Sequence, residues 1–141
     1  MTFEDLDAWE KARGLVNASY AMTKDIPLAK DFGLCGQIQR AAVSVMSNVA
    51  EGFEKAHTAE KLQAYNIARA SCGEVRSLLY VVEDNFPASA AAARDIRALA
   101  NESGRLITGL ISSTRKRLAA KIGGAGASIA AVAWFWFQFL G

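Results

Sequence analysis

Five polar residues between Gln37 and Glu51 are the first place to look for chemistry in this chain. Gln37, Arg40, Ser44, Asn48 and Glu51 recur every three or four residues, the spacing of one helical face. Their amide, guanidinium, hydroxyl and carboxylate groups can hydrogen-bond one another, whereas a solvated face of this length is normally dominated by Lys and Glu. The stripe is therefore expected to lie against protein, where an Arg or Asn without a partner is costly. Folding the next helix back through a turn near His57 puts Arg40 level with Glu74, Asn48 with Asn66, and Ser44 with Ala70 and Ser71. Such a set can be a structural network that fixes helix register, or a ligand or catalytic site.

Catalysis finds little support in the residue types. His57 is the one histidine, and Ser44 and Ser47 have no His or Lys base near them in sequence. There is no Glu-x-x-His pair of the sort that di-iron bundles place on facing helices, and no Gly-rich phosphate loop after a strand. No enzymatic activity, cofactor or metal is expected. Charge offers a better lead. Between Arg94 and Lys121 seven basic residues stand against two acidic ones, while Met1 to Asp31 carries four against six. Arg105, Arg115, Lys116, Arg117 and Lys121 are the candidate contacts for phosphates. The plainer alternative is a solvated helix end whose cations complement the helix dipole.

The elements that must position these groups are helical. At 141 residues, 52% hydrophobic and 21% charged, the chain has material for one core. Its two prolines, Pro27 and Pro87, fall where helical periodicity breaks. Helix one is expected from a Thr2 cap to about Lys24 with Phe3, Leu6, Trp9, Ala12, Val16 and Tyr20 at helical spacing, and helix two from an Asp31 cap to about Gly52 or a turn beyond with Leu34, Ile38, Ala42, Val45, Val49 and Phe53 inward. Helix three is expected from a Thr58 cap, with Leu62, Tyr65, Ala68, Cys72, Val75, Leu79 and Val82 as a coiled-coil-like seam. Helix four would present Ile96, Leu99, Ser103, Leu106, Leu110, Thr114 and Leu118. Short connections between long helices imply an antiparallel up-down-up-down bundle over residues 1–121. Val43, Met46 and Ala50 form a second apolar row on helix two, which implies an oligomer.

Residues 122–141 carry no charge and end in an aromatic run. They read as a membrane anchor, a fifth helix packed on protein, or an extension. The acidic N-terminus lacks an apolar leader, and Cys35 and Cys72 have no clustered partners, so they read as reduced core thiols of a cytoplasmic protein.

The run LCGQIQRAAVSVMSNVAEG from Leu34 to Gly52 resembles the signature of a family of four-helix-bundle proteins encoded in intervening sequences of 23S rRNA genes. In that signature Gln-x-x-Arg, two alanines, Ser and Asn-hydrophobic-Ala-Glu-Gly fall in this order. FEDLDAWEKARGLV and ARASCGEVRSLL are similar to the family's opening and to its third-helix segment. The chain departs from the pattern at Met46 and at Cys72-Gly73. The resemblance implies a left-handed bundle, a homopentamer and no established enzymatic activity. Related accessory proteins of diversity-generating retroelements bind nucleic acid and a reverse transcriptase through a basic surface. The expectation is an oligomeric interaction module for RNA or DNA, with a membrane-tethered scaffold as the alternative.

Overall fold

In the computed structural model, which describes residues 1–124 and 136–138, four long helices account for most of the chain and no strand occurs among the described residues. They are α1 (Asp7–Met22), α2 (Phe32–Glu54), α3 (Thr58–Asn85) and α4 (Ala90–Gly124). Each packs on two others: α1 on α2 and α4, and α3 on α2 and α4. Leu15, Leu28, Ile38, Val45, Leu79 and Ile107 are fully buried where the four meet.

Local chemistry sets the helix ends. Asp31 caps α2 by accepting the Leu34 N–H at 3.0 Å. The N-terminal boundary differs from expectation. Thr2 caps only a 3-10 turn, Phe3–Asp5, where the Asp5 carboxylate accepts the Thr2 N–H at 2.9 Å; Leu6 is extended, and α1 starts after it. Thr58 is the first residue of α3 rather than its cap, a position held by His57 without a side-chain hydrogen bond.

The inward rows of α2 and α3 carry the aliphatic residues assigned to them, all buried from Leu34 to Val49 and from Leu62 to Val82. In α4 the row is turned by one residue. Ala93, Ala100, Ile107 and Ile111 face the centre with Ile96, Ser103 and Thr114, while Leu99, Leu110 and Leu118 are half-buried and Leu106 is exposed. Two adjacent apolar rows satisfy the same 3.6-residue period, and the small and β-branched row is the one that fits the crowded centre.

The α2–α3 seam is tight. A Cβ on Gly52 would lie 2.5 Å from Cε1 of the buried Tyr65 ring, so the signature's glycine lets this ring rest on bare α2 backbone. Lys61 then donates to the carbonyls of Phe53 at 2.6 Å and Gly52 at 3.3 Å, satisfying the end of α2 with a cation.

Residues 125–135 and 139–141, and with them most of the segment read as anchor, fifth helix or extension, lie outside the described residues. Ile122 to Gly124 continue α4 beyond the boundary expected at Lys121. Among the described residues no helix is long and apolar enough to cross a membrane.

The two seams of α3 respond oppositely to an added methyl group. Gly52→Ala should destabilise the protein by roughly 1 to 3 kcal/mol through overpacking. Gly73→Ala, where an added Cβ meets nothing within 4 Å, should stabilise it by up to about 1 kcal/mol through helix propensity. Urea unfolding of both variants checks the pair, and equal effects of the same sign would contradict the packing described.

Candidate functional site

The polar stripe of α2 divides by side-chain length. Ser44 and Asn48 are half-buried, whereas Gln37, Arg40 and Glu51 are exposed. Ser44 Oγ lies 2.8 Å from Oγ of the buried Ser71 on α3, and Asn48 Nδ2 donates to the Ser44 carbonyl at 2.9 Å and to its Oγ at 3.2 Å. This three-residue network joins α2 to α3. The expected Arg40–Glu74 pair does not form: both side chains are exposed, and no ion pair joins them. Arg40 instead lies back along its own helix, its Nη1 3.0 Å from where a Gly36 Cβ would be. Water solvates a guanidinium there, so no buried carboxylate is needed. Asn66 does not meet Asn48; its Oδ1 accepts from Arg69 Nη2 at 3.1 Å.

The other flank of α3 presents a different surface. Arg69, Gly73, Arg76 and Tyr80 recur at spacings of three and four and face α4, where Arg97, Asn101, Gly104, Thr108, Ser112 and Arg115 answer them. Between the two helices runs an open groove of three successive stretches of 750, 450 and 440 Å³ that share lining residues. Gly73 and Gly104 sit at its middle, where the absence of side chains opens it. Arg69, Arg76, Arg97, Arg105, Arg115 and Lys116 line it, and none of the described residues that line it is acidic. By contrast, the α1–α4 groove of 720 Å³ is lined by Asp7, Glu10 and Glu102 as well as Lys11 and Arg105, and Lys11 pairs with Glu102 at 3.2 Å.

What orients the groove arginines matters for their charge. Arg76 Nη1 donates to Asn101 Oδ1 at 2.9 Å, and Arg69 to Asn66 as above. An amide oxygen accepts such a bond without cancelling the positive charge. At one end Arg97 is held by Glu83 through two bonds of 3.1 and 2.9 Å, which keep it protonated beyond its ordinary range. At the other, Arg115 stands over the Trp136 ring at 5.0 Å, and its buried Nε has no acceptor among the described residues.

Of the cations singled out in the sequence, Arg105, Arg115 and Lys116 line the groove. Arg117 is exposed and close enough to Tyr65 to oppose the rise that burial imposes on its hydroxyl pKa. Lys121 is exposed one turn further along. Sequence reasoning missed Arg69, Arg76, Arg97 and Tyr80. For the three on α3 the signal was a basic, glycine-interrupted row one residue away from the core seam, whereas Arg97 stands on α4 next to the buried Ile96. Cys35 and Cys72 are buried free thiols. Burial pushes the Cys72 thiol up to about 11, against the lowering influence of Arg76, so it lines the groove as a neutral group. Among the described residues no group of three or more His, Cys, Asp or Glu side chains could hold a metal ion.

Residues 4–109, about three quarters of the chain, match the family described as 23S rRNA-intervening sequence protein. The match spans the serine network and most of the groove. No curated protein matches the chain.

The serine network should show as coupling between α2 and α3. Ser71→Ala and Ser44→Ala should each cost about 1 kcal/mol, and the double variant should cost less than their sum because either deletion already breaks the shared bond. Arg40→Ala should fall within about 0.5 kcal/mol of the parent, as expected of an exposed unpaired side chain. Denaturant titration of the four variants measures this; strict additivity of the serines would remove the network.

Proposed function

The chain belongs to the 23S rRNA-intervening sequence protein family, and from that premise we propose that it is a non-enzymatic, oligomeric helical-bundle module that binds nucleic acid, RNA foremost, along the α3–α4 groove. The observation that carries this reading is the groove's charge: six cations, of which Arg97 is paired with Glu83 and the other five have no carboxylate partner among the described residues, with two of the arginines oriented by amides. Such a channel attracts a phosphate backbone and releases its counterions on binding. Ser44 of the signature and Ser71 are engaged with each other.

The finer architecture we propose is an antiparallel up-down-up-down, left-handed four-helix bundle. In its favour, contacting residue numbers fall on one helix as they rise on the next: Ser44 with Ser71 and Gly52 with Tyr65, then Arg76 with Asn101 and Glu83 with Arg97. The alternation of three and four in the α3 core favours the shallow left-handed crossing. Self-association into a homopentamer is proposed from the family resemblance and from Tyr20, Ile26, Phe32 and Val43, large apolar side chains left exposed on α1, α2 and the connection between them. Light scattering should then give the mass of five 15.1 kDa chains.

Filter binding of single-stranded RNA at several salt concentrations tests the function. Arg69, Arg76 and Arg105 replaced together by Gln should flatten the logarithmic salt slope by about 2, at roughly 0.7 per phosphate contact. Replacement of the exposed Lys24, Lys30 and Lys55 by Gln should leave the slope near that of the parent. Equal effects of the two triple variants, or no binding by the parent at low salt, would overturn the reading.

A further inference from the structure

We propose that the α3–α4 groove takes a single-stranded rather than a double-stranded nucleic acid, with unpaired bases stacked on Tyr80 at one end and Trp136 at the other. This deepens the reading above and rests on it.

Both rings stand at the groove and are only partly covered, Tyr80 being 51% and Trp136 39% exposed. Each is steadied by a guanidinium. Arg97 lies 4.4 Å from the Tyr80 ring centre and is itself anchored by Glu83, so it fixes the ring rather than meeting a phosphate. Arg115 lies 5.0 Å from the Trp136 ring centre, and among the described residues no carboxylate pairs with it and its buried Nε meets no acceptor. An uncompensated charge beside an exposed ring suits a nucleotide, which brings a phosphate and a π-face together.

The geometry between the rings fits a short strand. From Arg97 to Arg115 the α4 axis runs about 27 Å, the length of roughly eight stacked nucleotides. Arg69, Arg76 and Arg105 line the groove between them, and Lys116 follows Arg115 at the end. A duplex keeps its base faces stacked internally and has no use for the rings, whereas a single strand can offer them. An acidic peptide would meet the arginines but leave both rings idle.

The experiment is fluorescence anisotropy on the full chain at low salt, with RNA and DNA strands of about ten nucleotides and their duplexes. Single strands should bind at least about tenfold more tightly than duplexes, the effect of one stacked base. Tyr80→Ala and Trp136→Ala should each weaken single-strand binding by roughly 5- to 150-fold with an unchanged salt slope, since no charge is lost. Tyr80→Phe and Trp136→Phe, which keep a ring, should retain most of the affinity. A preference for RNA over the matching DNA would show that the 2′-hydroxyl is read as well, and equal binding would show that stacking and charge suffice; both support the proposal. Duplex bound as tightly as single strand, or alanine variants with parental affinity while the arginine variant is weakened, would overturn stacking and leave the basic groove standing. Competition by polyglutamate as effective as that by unlabelled strand would likewise overturn it. No binding of any oligonucleotide by the parent would remove both readings together.

Discussion

The seating of the Tyr65 ring on the bare backbone of Gly52 is the contact on which the arrangement of α3 depends. No side chain at position 52 can share that space, so α2 and α3 approach closely at one height and one rotation. Lys61 and the Ser44–Ser71 bond hold the same orientation a turn below and two turns above it. With α3 fixed in this way, its opposite flank is determined by helical geometry: Arg69, Gly73, Arg76 and Tyr80 must face α4. A one-residue slip would turn α3 by about 100°, burying arginines and exposing Leu62 and Leu79. Packing on one side thus creates the charged groove on the other.

The two flanks of α3 also differ in what they do with polar groups. Towards α2, short side chains satisfy each other across a narrow gap, and long ones reach water. Towards α4, glycines hold the gap open and arginines line it without carboxylates to cancel them. A purely structural seam would be expected to pair its charges, as Lys11 and Glu102 do between α1 and α4. Among the described residues the α3–α4 seam does so only at Arg97, beside Tyr80. Repulsion among its remaining cations is relieved by solvent, and would be relieved further by a polyanion.

Much of this was legible in the residues. Aliphatic rows on α2 and α3 are long, regular and flanked by breaks at Pro27 and Pro87, so helix identity and inward face follow from period alone. α4 was harder because Leu99, Leu106 and Leu110 form a second row as apolar as the true one; only the crowding at the centre selects Ala100, Ile107 and Ile111. The signature of α2 was misread in part for a related reason. Type and spacing place Arg40 and Ser44 on one stripe, but a serine stops at the seam where an arginine extends past it to water. The groove itself could not be read from a single segment, since its cations come from helices that are joined only in three dimensions. The basic cluster at the end of α4 gave half of it; Arg69 and Arg76 resemble ordinary surface charges until α3 is docked.

The central claim is that a nucleic-acid strand lies along α3 and α4 between Tyr80 and Trp136. Photo-cross-linking of the full chain to single-stranded RNA carrying 4-thiouridine, followed by mass spectrometry of the peptides, locates the strand directly. Cross-links concentrated on the peptides that contain Tyr80 and Trp136, and suppressed by unlabelled single strand, are the predicted result. Cross-links concentrated instead on α1 and the exposed face of α2, with none at Tyr80 or Trp136, would contradict the account.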